Sequence, residues 1–205
     1  MAEEYPEQVD PEGPDPAQAP SLPPEVAARR LEALRLIRRF GDPVLRSQAR
    51  PVDRFDDALR EEVRQMGALM GDALGIGLAA PQVGIPHRLL VYRIASQGPP
   101  ATLVNPQIDW SSRDKETAEE GCLSLPGVHV DVERPVHVCV RASDEHGDEL
   151  LVEASGLEAR VIQHEMDHLD GVLILDRTSR DQRKAAIRAM REREREEQDQ
   201  AVSAA

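Results

Sequence analysis

Aromatic side chains are nearly missing from this chain of 205 residues: Phe, Trp and Tyr together make up 2% of it. A core must therefore be built from Leu, Val, Ile and Ala, which a hydrophobic content of 40% allows. Long apolar runs are missing too. No stretch nears the roughly 18 consecutive apolar residues of a membrane span, so no membrane association is expected. The N-terminus has neither a basic n-region nor an apolar h-region, and no secretory signal is read there. Cysteine is scarce: Cys122 and Cys139 permit at most one disulfide. These absences together point to the reducing cytoplasm. Positive charge is in deficit, with a formal net charge of -13. That excludes bulk attraction to nucleic acid or anionic lipid, and no sequence-specific nucleic-acid binding is expected.

Acid and proline are abundant at the start. Residues 1–25 hold seven acids and no Lys or Arg, and read as a disordered tail with too little apolar surface to offset ordering entropy. A single catalytic domain is expected over 26–197. A short helix is predicted from Val26 to about Arg35, followed by a turn at Gly41-Asp42-Pro43. A better helix runs from about Asp56 to Ala73, where Leu59, Val63, Met66 and Met70 recur at spacings of three and four. Short Val/Leu/Ile-rich strands are predicted at Arg88–Ile94, Thr102–Ile108, His129–Glu133, Val136–Ala142 and Glu149–Glu153. A helix follows over Gly156 to Leu169, and Asp170-Gly171 ends it. A charged C-terminal helix is expected over 178–197, then a disordered end at 198–205. Strands in series between helices predict an α+β fold: short, mostly antiparallel strands packed around the central Gly156–Leu169 helix.

That helix carries His164-Glu165-Met166-Asp167-His168. Positions i and i+4 share a helix face, so both imidazoles can reach one metal ion, while Glu165 projects about 100° away, towards a water. A catalytic site needs a third ligand and an open position. Position 174, where one class of zinc proteases has its third His, is Ile, and the acids beyond His168 lie in a highly charged helix. Cys122, in Glu120-Gly121-Cys122-Leu123-Ser124, is the better candidate, since a thiolate suits zinc or ferrous iron. Cys139, in an alternating strand, reads as a buried inert thiol, and His129 as an edge-strand residue rather than a ligand.

Three segments together resemble the peptide deformylases: Gly75-Ile76-Gly77-Leu78-Ala79-Ala80-Pro81-Gln82, Glu120-Gly121-Cys122-Leu123-Ser124, and Gln163-His164-Glu165-Met166-Asp167-His168. Gly41-Asp42-Pro43-Val44-Leu45-Arg46 is similar to that family's opening segment, and the resemblance spans about residues 34–195. It implies removal of the formyl group from the N-terminal formyl-methionine of newly made bacterial proteins. It implies that Cys122, His164 and His168 hold one divalent metal ion, ferrous iron natively, with zinc or nickel as substitutes. Glu165 would then move the proton, and the Gln82 side-chain amide and the Leu123 backbone N–H would face the developing oxyanion. The Gly77 segment would pair with the peptide like an added strand, and Leu123 and Val161 would wall the methionine pocket. Arg134 would pair with Glu120 behind the metal loop. The C-terminal helix, with Arg180, Arg183, Lys184, Arg188 and Arg191, would contact the ribosome. Two rival readings stay open: a metallopeptidase cutting internal bonds, and a metal-stabilised ribosome-associated binding module.

Overall fold

The computed structural model describes residues 22–95 and 98–203, so the acidic stretch 1–21 lies outside the described residues. Helix α1 spans Pro24–Leu36, with proline in its first turn where a missing N–H costs nothing. Helix α2, Asp57–Asp72, begins at Asp56, whose side chain accepts from Leu59 N. Leu59, Met66 and Met70 bury the apolar stripe that its spacing predicts.

Seven strands follow: β1 Gly77–Ala79, β2 Leu89–Tyr92, β3 Ala101–Ser111, β4 Lys115–Cys122, β5 Leu125–Pro135, β6 His137–Ser143 and β7 Glu149–Ser155. They form a five-stranded sheet in the order β1-β2-β3-β6-β7 and a separate β4-β5 pair, and every strand pairing is antiparallel. Then come α3 Gly156–Leu169, α4 Ile174–Arg177 and α5 Arg180–Ser203. The architecture is α+β, with mostly antiparallel strands and a C-terminal helix.

Strand alternation lets the larger sheet bury both faces. On one face Leu90, Leu103, Val138 and Val140 pack against Ala159, Ile162, Met166 and Leu169 of α3. On the other, Leu78, Leu89, Val91 and Val104 meet α1 and α2 through Ala33, Leu59, Met66 and Met70. A third cluster joins Leu125, Val128, Val130 and Val132 of β5 to Leu173, Ile174 and Leu175, with Ile187 and Met190 of α5 against it. The β4-β5 pair, with Cys122 at its tip, is thus anchored from below by the C-terminal helices. Among the described residues no helix is long and apolar enough to cross a membrane.

Three expectations change. β4 was not foreseen: its sequence, Lys-Glu-Thr-Ala-Glu-Glu-Gly-Cys, has almost no apolar alternation because the strand is largely solvent-exposed. Cys139 is half-buried rather than buried, because on β6 Val138 and Val140 face the core and Cys139 takes the opposite side, paired across the sheet with Trp110. The last helix does not stop at 197 but continues to Ser203, since Glu, Gln and Ala sustain it and no Gly or Pro interrupts.

Candidate metal centre

Helix α3 is buried along nearly its whole length; from Ala159 to Leu169 only Arg160 is less than buried. His164 and His168 stand one turn apart with ring centroids 5.1 Å from each other. Cys122 reaches them from β4, where a register shift between Gly121 and Cys122 bends the strand end. Its Sγ lies 3.2 Å from His168 Nε2. One donor atom from each of Cys122, His164 and His168 lies within 4.8 Å of the others. A tetrahedral ion bonded to sulfur at about 2.3 Å and nitrogen at about 2.1 Å would hold those two atoms roughly 3.6 Å apart. The Cys122–His168 pair comes within a few tenths of an ångström of that spacing, and the His164 donor lies within 4.8 Å of both.

One of the two imidazoles is oriented by a carboxylate. Glu120 Oε2 lies 3.0 Å from His164 Nδ1, which leaves the other ring nitrogen free to face Cys122. Glu120 is itself gripped: Arg134 donates to both carboxylate oxygens at 2.6 and 2.9 Å, and Arg160 donates to Oε1 at 2.8 Å. Arg134 also donates to Asp167 at 2.9 Å, and Arg177 closes the far side of Asp167. Burial alone would raise Glu120, but the hydrogen bonds from Arg134 and His164 and their charges hold its pKa at about 2. Burial, together with the nearby positive His164 and Arg134, depresses His168 well below the usual imidazole range. That shift favours the neutral imidazole, the form that can bind a metal ion. Burial would lower His164 also, yet the neighbouring Cys122, Glu120 and Glu165 raise it well above that range. An ion bound through His164 would have to displace that proton, which would make its binding pH-dependent.

Glu165 points towards β1. Its Oε2 is buried with no hydrogen-bond partner among the described residues. Burial pushes its carboxyl up to about 7, against the pull of His164 and Arg134. A buried acceptor without a protein partner, on the wall of a cleft, is suited to receive a proton from a bound molecule. Gly77 makes room for it: a Cβ there would fall 2.8 Å from Glu165 Cδ and 2.9 Å from Cγ. Gly77→Ala therefore drives the carboxylate from its place, at an overpacking cost of about 1–3 kcal/mol. Urea titration would read this as a lower midpoint; an unchanged midpoint would mean that Glu165 swings aside freely.

Gln82 sits on a 3-10 turn after β1 and is 1% exposed. Its Oε1 accepts from Ala79 N at 2.8 Å, which fixes the amide orientation. Nε2 then points towards Ser124 Oγ at 3.3 Å and Cys122 Sγ at 3.8 Å. The donor end of Gln82 is thus held beside the Cys/His/His cluster. Leu123 lies at the turn between β4 and β5, and Leu123 and Val161 line the same cleft of about 460 Å³ as Gly77, Gln82, Cys122 and Glu165. Gly77, Gln82, Cys122, Leu123, Val161, His164 and Glu165 line this one cleft, with His168 completing the Cys/His/His cluster, whereas Cys139 does not take part. His129 stands exposed at the rim against Glu119, and Cys139 lies on the outer face of the sheet. Sequence reasoning overlooked Ser124, Arg160 and Asp167. For Asp167 the one signal is an acid between Met166 and His168 on a helix expected to be central, which calls for a cation without naming it.

The sequence profile of the family described as polypeptide deformylase matches residues 34–184. The peptide deformylase of Acidothermus cellulolyticus is 47% identical over 162 residues, covering 79% of this chain and 88% of the relative. The crystal structure of a peptide deformylase from Synechococcus elongatus in complex with actinonin aligns at a TM-score of 0.72 and 49% identity, over 75% of this chain and 84% of that one. The structure of the Thermotoga maritima peptide deformylase aligns at 0.68 and 45% identity, over 70% and 96%. With the family profile matching residues 34–184 and a relative 47% identical over 79% of the chain, the conclusion is plain: the chain belongs to the peptide deformylase family.

Proposed function

We propose that Cys122, His164 and His168 hold one divalent metal ion in this cleft, where the chain carries out its family's reaction. It hydrolyses the formyl group from the N-terminal formyl-methionine of newly synthesised proteins. The observation that carries the assignment is the convergence of those three donors within 4.8 Å, beside the partnerless carboxylate of Glu165. The metal we assign is ferrous iron, with zinc and nickel able to take its place, since one thiolate and two imidazoles suit all three. When bound, the metal makes water acidic near neutral pH and polarises the formyl carbonyl.

The protein's own part follows from its geometry. Glu165 Oε2 takes the proton of the attacking water and returns it to the amine nitrogen as the carbon–nitrogen bond breaks. Gln82 Nε2 and the Leu123 backbone N–H donate to the formyl oxygen as its charge builds, and fixed donors need little reorganisation. The Gly77 segment pairs with the peptide backbone by strand addition, and Leu123 and Val161 wall the methionine side chain. The same reading makes α3 the central helix, around which the strands gather to bring the motif to Cys122; its support is the burial of that helix. A nascent-chain substrate places the reaction in the cytoplasm. Contact with the ribosome is assigned to the outer face of α5. Its inner face, through Ile187 and Met190, instead secures the β4-β5 pair.

The test is formate release from formyl-Met-Ala-Ser, set beside the unformylated peptide and an internally cleavable one. Formate without internal cleavage is expected; internal cleavage without formate would overturn the reading. In the same assay Gln82→Leu should lose about 10²- to 10³-fold in kcat with metal content retained. Near wild-type turnover would remove Gln82 from the mechanism.

A further inference from the structure

The first helix brings to the cleft a residue that the family match does not reach. That match begins at residue 34, and Arg30 lies before it on α1. Its side chain nonetheless lines the same cleft as Cys122, His164 and Glu165. The outer wall there is apolar and open: Leu74, Ile76 and Leu157 line it and stay 49%, 47% and 53% exposed. Exposed apolar side chains around a concave site suit contact with a bound chain.

Apart from the catalytic candidate Glu165, the acids lining the cleft already have basic partners. Glu120 is held by Arg134 and Arg160, and Glu119 faces His129 at 3.1 Å. On α1 itself, Arg29 pairs with Asp72 and Arg35 with Glu32. Arg30 takes part in none of the ion pairs among the described residues. It is an unbalanced cation on the wall of the site.

We infer that Arg30 is a specificity-determining residue for the part of the substrate beyond its first residue, favouring an acidic side chain there and disfavouring a basic one. The inference rests on the deformylase reading. With the formyl carbon at the metal centre, the peptide must leave through the open side of the cleft. A side chain one or two residues beyond the methionine stands roughly 3–7 Å further along an extended chain. A guanidinium offers a carboxylate two parallel donors, and repels an ammonium. Arg30 is exposed, so screening keeps the effect modest.

The experiment compares kcat/KM for formyl-Met-Asp-Ser with formyl-Met-Lys-Ser, and for formyl-Met-Ala-Asp with formyl-Met-Ala-Lys. It uses wild type, Arg30→Ala and Arg30→Glu at low salt. Wild type should prefer the acidic peptide about two- to fivefold in at least one pair. Arg30→Ala should bring that ratio near unity, Arg30→Glu should invert it, and high salt should erase it. Each ratio is taken within one variant, so a loss of folded enzyme cancels. The same ratio in all three proteins would overturn the inference and leave deformylation standing. Formate release from none of these peptides, even by wild type, would bring down the deformylase reading and the inference with it.

Discussion

Glu165→Gln should lower turnover of a formyl-methionyl peptide by roughly 10²- to 10⁴-fold, the usual worth of a positioned acid–base group. The substitution keeps the volume and the planar end of the side chain, so the space opposite Gly77 stays filled. What it removes is the capacity to take up a proton and release it. His164, one residue away, keeps its hydrogen bond to Glu120, so metal per protein should be unchanged by elemental analysis. KM should move little. The carboxyl stands at about 7 because burial disfavours its charge, and a bound dication would shift it down by favouring the ionised form. Wild-type kcat/KM should therefore fall as pH drops through a value at or below 7, as the base becomes protonated. That acid limb should be missing from the variant. A loss of only a few-fold, or an unaltered acid limb, would mean that another group carries the proton.

The second large effect is on stability. Arg134→Met should cost about 3–5 kcal/mol of unfolding free energy, because removing one partner strands the others as buried charge. The Arg134 and Glu120 side chains are each 5% exposed and Asp167 is 10% exposed, so solvent screens little. Arg160 still reaches Glu120, and Arg177 still reaches Asp167, which favours the lower end of that range. Glu120 is held at about 2 against an ordinary 4.5. Its contribution is therefore complete above about pH 4.5 and is lost as pH falls towards 2. The gap between wild type and variant, read by urea titration, should be widest near neutrality and narrow in acid. A gap below about 1 kcal/mol at pH 7 would show that the network is dispensable. Metal retention should weaken in the same variant, since Glu120 sets the orientation of His164.

Both predictions concern side chains whose legibility in the sequence was unequal. Glu165 could be read at once, because helix geometry is local: a residue next to His164 must project about 100° from it. The bounds of α3 agreed with its periodicity and its closing Asp-Gly for the same reason. The β4 strand resisted because a largely exposed strand has no apolar alternation to betray it, although it carries Cys122. Asp167 looked like a filler position within the helix motif. Its partner Arg134 is distant in sequence, and only the packing of β5 against α3 makes the pair visible. Ser124 and Arg160 were overlooked on the same ground, and Arg30 lay outside every motif.

The sequence by itself determined which residues share a helix face, which stripe α2 buries and which donor types are on offer to a metal. Those properties depend on spacings of three or four residues and on the chemistry of single side chains. Only the tertiary structure decided that Cys122 meets the two histidines, that Gly77 is small to admit Glu165, and that Arg134 holds Glu120 and Asp167 at once. Each of these joins segments far apart in the chain. Such contacts are set by how the sheet, the β4-β5 pair and the helices bury their apolar faces together, a choice no local spacing encodes.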